Sequence, residues 1–333
     1  MKKWARLGLA LAALVLVGGS GDRALAQKNP IDEPIGSDTV VNAWAVAPVG
    51  PSVDRNQPSE RPFLTYSVAP GQVIQDAVVL YNYSNVALNF RLFAADAFNN
   101  ADGAFDVFES SRQSKDVGTW IKVDQENISL PPKSQAVVPL TITVPRQAAP
   151  GDHAGAVLAS SAAIGSGPDG KAVNIDRRTG TRAYFRVAGD LTPDLSITEV
   201  RNTYKASMNP FGGRVEVAYR IENQGNVRMG GKQRVSASGL LGFGSKETKY
   251  LDLPELLPGQ GVTITKSFPG MPATVLGSAT VRLDPDDAEG KSMPVESRRV
   301  TTLAVPWTIV SLIVIGVLLN FSRRSYQRRS ALA

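Results

Sequence analysis

The chain is predicted to be all-β: two tandem β-sandwiches followed by one C-terminal transmembrane helix. The first support is period-two alternation. Leu88, Phe90 and Leu92 alternate with Asn89 and Arg91; Val138, Leu140, Ile142 and Val144 share one face, with Thr141 and Thr143 on the other; Val215, Val217, Tyr219 and Ile221 alternate with Glu216 and Arg220. Successive strand side chains point to opposite faces, so this pattern is that of half-buried antiparallel strands. The second is punctuation by turn dipeptides such as Pro70-Gly71, Asn99-Asn100, Pro150-Gly151, Asn209-Pro210, Gly225-Asn226 and Pro258-Gly259, at the spacing of a sandwich. The third is the chemistry of the two chain ends.

At the N-terminus, Lys2, Lys3 and Arg6 precede an apolar run over 7–17, and Ala24-Leu25-Ala26 offers a small-x-small cleavage site before Gln27. This reads as a secretory signal peptide over residues 1–26. At the C-terminus, residues 301–322 carry no charge and Arg323, Arg324, Arg328 and Arg329 follow at once. A helix of about 20 apolar residues crosses the hydrocarbon core. The reading is a transmembrane helix over 303–321 with a basic cytoplasmic tail over 322–333, Trp307 marking the outer headgroup zone. The expected topology is single-pass in the cell membrane, with the N-terminal part outside. The anchor residues are Trp307, Arg323, Arg324, Arg328 and Arg329.

The formal charge of +6 belongs to these ends. Setting aside four basic residues at each end and Asp22 leaves 28 basic against 29 acidic residues. No nucleic-acid footprint remains. With no cysteine, exported domains must hold by burial alone, so they must be of ordinary size. Residues 27–61 read as an extended leader with one edge strand near Val40 to Trp44, and ordered structure is expected from Phe63. Residues 62–190 and 191–300 form the two sandwiches. A loose internal repeat supports the division. Asn82-Tyr83-Ser84-Asn85 and Leu130-Pro131-Pro132 have counterparts in Asn223-Gln224-Gly225-Asn226 and Leu257-Pro258-Gly259, offset by 141 and 127 residues.

Catalytic inventory is thin. One histidine, His153, rules out a His-rich zinc site, and there is no nucleophile elbow or phosphate loop. His153 lies in Pro150-Gly151-Asp152-His153-Ala154-Gly155 and is read as part of a tight turn or as a ligand contact. Acidic loops at Asp96, Asp102, Asp106 and Glu109, and at Asp284, Asp286, Asp287 and Glu289, could serve a glycosidase, which needs only two carboxylates in a cleft. Asn100, Asp102, Gly103 and Glu109 approach a calcium loop, but Phe98 stands where the first oxygen ligand belongs. Trp120, placed on a strand, is either a core plug or a platform for sugar rings. No metal, cofactor or catalytic residue is expected.

The first sandwich carries an ordered motif set. It runs Tyr66-x-Val68-x-Pro70-Gly71, Asn82-Tyr83-Ser84-Asn85, Asp96-Ala97-Phe98 with Gly103-Ala104-Phe105, and Gly118-Thr119-Trp120-Ile121. Val144-Pro145-x-x-Ala148-x-Pro150-Gly151-Asp152-His153-Ala154-Gly155 completes it. Over 62–190 this resembles the peptidoglycan-binding domain of WxL-interacting proteins, an immunoglobulin-like sandwich of Gram-positive cell surfaces. Arg182 to Val187, Asn223 to Asn226 and Leu257 to Gly259 are similar to such proteins too. The resemblance implies two immunoglobulin-like domains, the first contacting peptidoglycan and the second holding a WxL-type exported protein. Asp96, Trp120, Asp152 and His153 are the glycan-contact candidates. The expected role is a non-catalytic tether at the membrane–wall interface, with membrane lipid as the third partner. The alternative is an extracellular assembly factor or chaperone that adds a β-strand to exported subunits.

Overall fold

The computed structural model describes residues 43–50, 61–109, 111–166, 172–209, 211–305 and 307–330, with side chains of 162–176, 308–309 and 325–330 outside the description. The signal-peptide segment and most of the leader lie outside the described residues. The rest falls within one compact unit, Val41–Ala333.

The alternating segments are strands. In chain order these are β1 (Trp44–Pro48), β2 (Leu64–Val68), β3 (Val73–Asn82), β4 (Leu88–Asn99) and β5 (Phe105–Val107). After a one-turn helix α1 (Val117–Trp120) come β6 (Ile121–Val123), β7 (Asn127–Leu130), β8 (Ser134–Thr143), β9 (Gly151–Ser166) and β10 (Ala172–Val187). One sheet has the order β1-β3-β8-β6; the facing sheet runs β2-β10-β9-β4-β5, with β7 also paired to β4. Leu80, Leu92, Leu140, Ile142, Trp120 and Phe185 belong to the single core between them.

The second half repeats the plan. It contains β11 (Leu195–Lys205), β12 (Gly213–Asn223), β13 (Met229–Gly239), β14 (Lys246–Glu247) and β15 (Leu251–Leu256). Then follow β16 (Gly261–Met271), β17 (Val275–Asp287) and β18 (Glu296–Ala304). Sheet β11-β12-β16 faces sheet β14-β13-β17-β18, with β15 on β13, over a core that includes Ile197, Tyr219, Ile221, Met229 and Leu283. The all-β expectation holds.

Several boundaries differ from the sequence reading. Order begins before Phe63: β1 pairs with β3 from Trp44↔Asn82 to Pro48↔Val78. Trp44 packs edge-on against Phe90 at 5.7 Å, so an apolar edge strand is drawn out of the leader. Trp120 closes helix α1 instead of lying on a strand, because Gly118 lets that turn pass against Ala95. Asp96 and Asp106 sit in β4 and β5, not in one acidic loop. The C-terminal helix, expected over 303–321, is α2 (Trp307–Ser330). Leu303 and Ala304 are held in β18 opposite Leu276 and Val275, and the helix takes in all four arginine positions. Among the described residues no helix is long and apolar enough to cross a membrane.

Candidate functional site

The sequence candidates converge on one corner of the first sandwich, where β4, α1 and the start of β9 meet. Asp96 is 5 % exposed. Its Oδ2 accepts the backbone N–H groups of Lys115 and Asp116 at 2.6 and 3.0 Å, and its Oδ1 that of Gly118 at 2.7 Å. A carboxylate collecting three backbone donors orders the 114–118 turn. A Cβ on Gly118 would stand 2.3 Å from Ser114 Oγ, which explains that glycine. Trp120, 4 % exposed, lies 5.5 Å from the Phe185 ring and 4.8 Å from that of His153. It is a core residue.

His153 spends both ring nitrogens. Nδ1 is 2.8 Å from Asp116 Oδ2 and Nε2 is 2.9 Å from the Ala149 carbonyl. Both partners are acceptors, and only an imidazolium donates from both nitrogens. Burial opposes that charge, but the Asp116 carboxylate and the Ala149 carbonyl outweigh it, raising the pKa above the ordinary histidine value.

Asp152 does different work. Its carboxylate takes a two-pronged grip from Arg186, Nε to Oδ1 at 2.7 Å and Nη2 to Oδ2 at 2.8 Å. It also accepts the backbone N–H of Arg228, in the loop before β13, at 2.8 Å. Burial would push its pKa up; the Arg186 hydrogen bonds and the Arg228 contacts hold it below the usual carboxylate value. Arg186 also meets Glu289, and Arg228 lies over the Tyr184 ring at 3.9 Å. Nearby, Asn226 donates to the Pro150 carbonyl at 3.0 Å. Gly151 (φ +116°) could not carry a Cβ, which would fall 2.2 Å from the Asn226 carbonyl. Asn99 donates to the Glu255 carbonyl and accepts the Leu257 N–H, both at 2.8 Å. The Pro-Gly-Asp-His stretch therefore clamps the two sandwiches together. The carboxylates of Asp96 and Asp152 and both ring nitrogens of His153 are engaged by protein, and Trp120 is buried.

The open polar surface lies elsewhere, on the outer face of the β4 sheet. Asn89 is opposite Ser129, and Arg91 is opposite Asn127 on one side and Ser160 on the other. These five side chains rim a groove of about 520 Å³ floored in part by Phe90 and Ile128. Higher on the same face, Ala95, Ala156 and Leu158 are covered by Phe93, Val107 and Phe108. Near its top, Ala154 and Tyr184 pack against Leu257 of the second sandwich. The groove is thus an uncovered part of that face. Sequence reasoning passed over it because Asn89 and Arg91 read only as the solvent side of an alternating strand. The signal that could have found it is the hydrogen-bonding character of the outer positions on β4 and β7; their register was not legible.

A second concavity, about 970 Å³, opens in the second sandwich between β11 and β18, lined by Glu199, Arg201, Arg220, Arg298 and Arg299 among others. Both strands end their sheets, and Arg298 reaches the Thr198 carbonyl across the gap at 3.4 Å. Among the described residues no group of three or more His, Asp or Glu side chains could hold a metal ion.

Comparison with known proteins gives one family. Residues 45–161 match the model described as WxL Interacting Protein, peptidoglycan binding domain. No curated protein sequence matches the chain. Among solved structures it is similar to the class 5 fimbriae chaperone CfaA, at 13 % identity over 71 % of this chain and 96 % of that one, with a TM-score of 0.36. It is also similar to a Salmonella enterica complex of the SafA pilin with the SafB chaperone, at 11 % identity over 79 % and 98 %, TM-score 0.37. The Pseudomonas aeruginosa CupB2 chaperone matches at 12 % identity over 74 % and 99 %, TM-score 0.30. These three likenesses are too slight to bear on fold or function. The matched segment runs from β1 into β9 and contains the groove and most of the motif corner. Over residues 45–161 the chain is thus similar to the peptidoglycan binding domain of WxL-interacting proteins.

Proposed function

We propose that this protein is a non-catalytic tether that holds peptidoglycan through its first sandwich and is anchored in the cell membrane through α2. The observation that carries the wall reading is the family match over residues 45–161. The groove formed by Asn89, Arg91, Asn127, Ser129 and Ser160 is the contact surface in this reading. Side-chain amides and hydroxyls suit the acetamido and hydroxyl groups of an amino-sugar polymer, and the Arg91 guanidinium suits its carboxylates. In this reading residues 62–190 and 191–300 are two immunoglobulin-like domains, and 1–26 is a cleaved export signal.

For the anchor, the middle of α2 is apolar on every side: Leu312, Ile313, Val314 and Ile315 are consecutive and 68, 61, 51 and 52 % exposed. Four successive positions at about 100° each circle a helix, and a helix apolar all round belongs in lipid or deep in protein. Arginines after it favour a cytoplasmic tail.

Detergent-solubilised full chain mixed with insoluble peptidoglycan tests the wall reading, with an unrelated β-sandwich protein as reference. Retention above the reference supports it, and equal retention removes it. A second reading, strand addition to an exported protein, is favoured by β11 and β18, each the last strand of its sheet among the described residues, facing one another across their cleft. It predicts a stoichiometric co-purifying protein and no wall retention, so mass spectrometry of the same pull-down separates the two.

A further inference from the structure

The end of the second sandwich from which the chain leaves for α2 is unusually apolar at its surface. Met208 is 92 % exposed, Phe211 66 %, Leu241 99 %, Phe243 59 %, Val275 51 % and Leu303 68 %. Leu303 lies in β18 and the other five come from three separate connections or their edges, which the topology brings to one end. Met208 and Phe211 lie between β11 and β12, Leu241 and Phe243 follow β13, and Val275 opens β17. Hydrogen bonds tie the turns after β13 and before β17 to each other and to β18. The Leu240 N–H bonds Thr274 Oγ1 at 3.0 Å, and Val275 and Leu276 pair with Ala304 and Leu303 at the end of β18. Helix α2 begins at Trp307, only three residues past Ala304 and itself 63 % exposed.

Water alone gives no reason for this arrangement. Contiguous exposed apolar surface on a soluble domain marks an interaction site. Two of the residues also hold backbone conformations that L side chains rarely adopt: Leu241 at φ +54° and Val275 at φ +68°, the second of them β-branched. Strain of this kind persists where surrounding structure imposes it. The turn bearing Leu241 and Phe243 pairs its own backbone, Gly239 N–H to the Phe243 carbonyl and Phe243 N–H to the Leu240 carbonyl, at 2.8 and 3.1 Å. A loop with internal backbone pairing and outward apolar side chains is suited to a medium that cannot hydrogen-bond.

We infer that this end of the second sandwich is a lipid-docking face, its apolar turns seated in the headgroup–acyl boundary beside the point where the chain enters the bilayer. The occupant is a membrane surface because this end of the sandwich leads, through β18, to the exposed apolar middle of α2. The inference rests on the anchor reading above. It adds that the sandwich is held down on the membrane, where α2 alone would leave it swinging on a short linker. The Leu240–Phe243 turn and the side chains of Met208 and Phe211 are then two further contact points that fix its orientation.

The chain contains no cysteine, so single-cysteine variants can be labelled without removing anything. Full-length Leu241→Cys, Phe243→Cys and, as the distant control, Asp102→Cys would carry an environment-sensitive nitrobenzoxadiazole dye. Each would be reconstituted into vesicles of phosphatidylcholine and phosphatidylglycerol, then floated on a density gradient. Position 241 is fully exposed, so a folding defect is not expected from its replacement. At 241 and 243 the dye should emit at shorter wavelength than at 102, and nitroxide lipids should quench it several-fold more strongly. Vesicle-bound protein whose dye at 241 and 243 is as aqueous and as unquenched as at 102 would overturn the docking face while leaving the anchor standing. Protein that does not float with vesicles would overturn the anchor reading and this inference with it.

Discussion

The two sandwiches use the same buried device at different strengths. In the first, Asn82, fully buried, donates its Nδ2 to the carbonyls of Val86, Leu130 and Pro131 at 3.0, 3.1 and 2.9 Å and accepts the Ser84 N–H at 2.9 Å. In the second, Asn223 donates to Val227 and Leu256 at 2.7 and 2.9 Å and accepts the Gly225 N–H at 3.1 Å. Each asparagine bonds the residue two ahead, the carbonyl four ahead and a distant leucine before a Pro-containing turn, so one side chain closes the crossing from one sheet to the other and pins the end of a third strand to it. The difference lies in what surrounds the device. Around Asn223 the neighbouring Asn226 turns outward and clasps Pro150 and Asp190 of the first sandwich. The same element that closes one sandwich in isolation joins the other to its neighbour.

The largest effect should come from that join. Asp152→Ala leaves Arg186 and the Arg228 N–H without their buried partner, and breaking a buried pair costs about 3–5 kcal/mol. Denaturant unfolding should change from one transition into two, the sandwiches melting separately. A single transition at the same midpoint would break the comparison. Next, Asn82→Ala and Asn223→Ala should each cost about 2–3 kcal/mol by leaving buried carbonyls unpaired. The Asn82 variant should lose more, because three carbonyls are affected against two. Equal losses, read from unfolding midpoints at matched slope, would show that the third carbonyl contributes nothing.

The smallest effect is a pH dependence confined to the first sandwich. The folded pKa of His153 is raised, so its pairing with Asp116 stabilises fully below the unfolded value of about 6.5 and is lost as pH rises through the folded value. Asp116 is 40 % exposed, which limits the contribution to about 0.5–1 kcal/mol. Stability compared at pH 6 and pH 9 should fall in the parent, and Asp116→Asn should flatten the difference.

Much of this was legible in the sequence because period two and turn residues report local geometry. The repeat around Asn82 and Asn223 was legible too, since both turns and both Leu-Pro elements stand in the chain as written. The hydrogen bonds themselves were not: the carbonyl that Asn223 takes belongs to Leu256, one residue before the Leu-Pro element. The groove was not legible. Asp96, Asp152 and His153 drew attention as polar groups in a motif, but a motif does not say whether its polar atoms face ligand or backbone. The groove depends on the register of β4 with β7 and β9, which is a long-range property. The start of α2 was misplaced for a related reason: Leu303 and Ala304 are apolar enough for a helix, and only their pairing with β17 makes them strand.

The central claim is that the first sandwich holds peptidoglycan at the Asn89–Arg91–Asn127 groove. The most direct measurement is the affinity of full-length protein for insoluble peptidoglycan, compared with an Arg91→Ala/Asn127→Ala variant. Both changed residues are exposed, and the variant is first shown to unfold at the parental midpoint. The account predicts clear saturable retention of the parent and at least about tenfold weaker retention of the variant, the loss expected for one charged and one neutral hydrogen-bonding contact. Equal retention of the two would contradict the groove, and no retention of the parent would contradict wall binding itself.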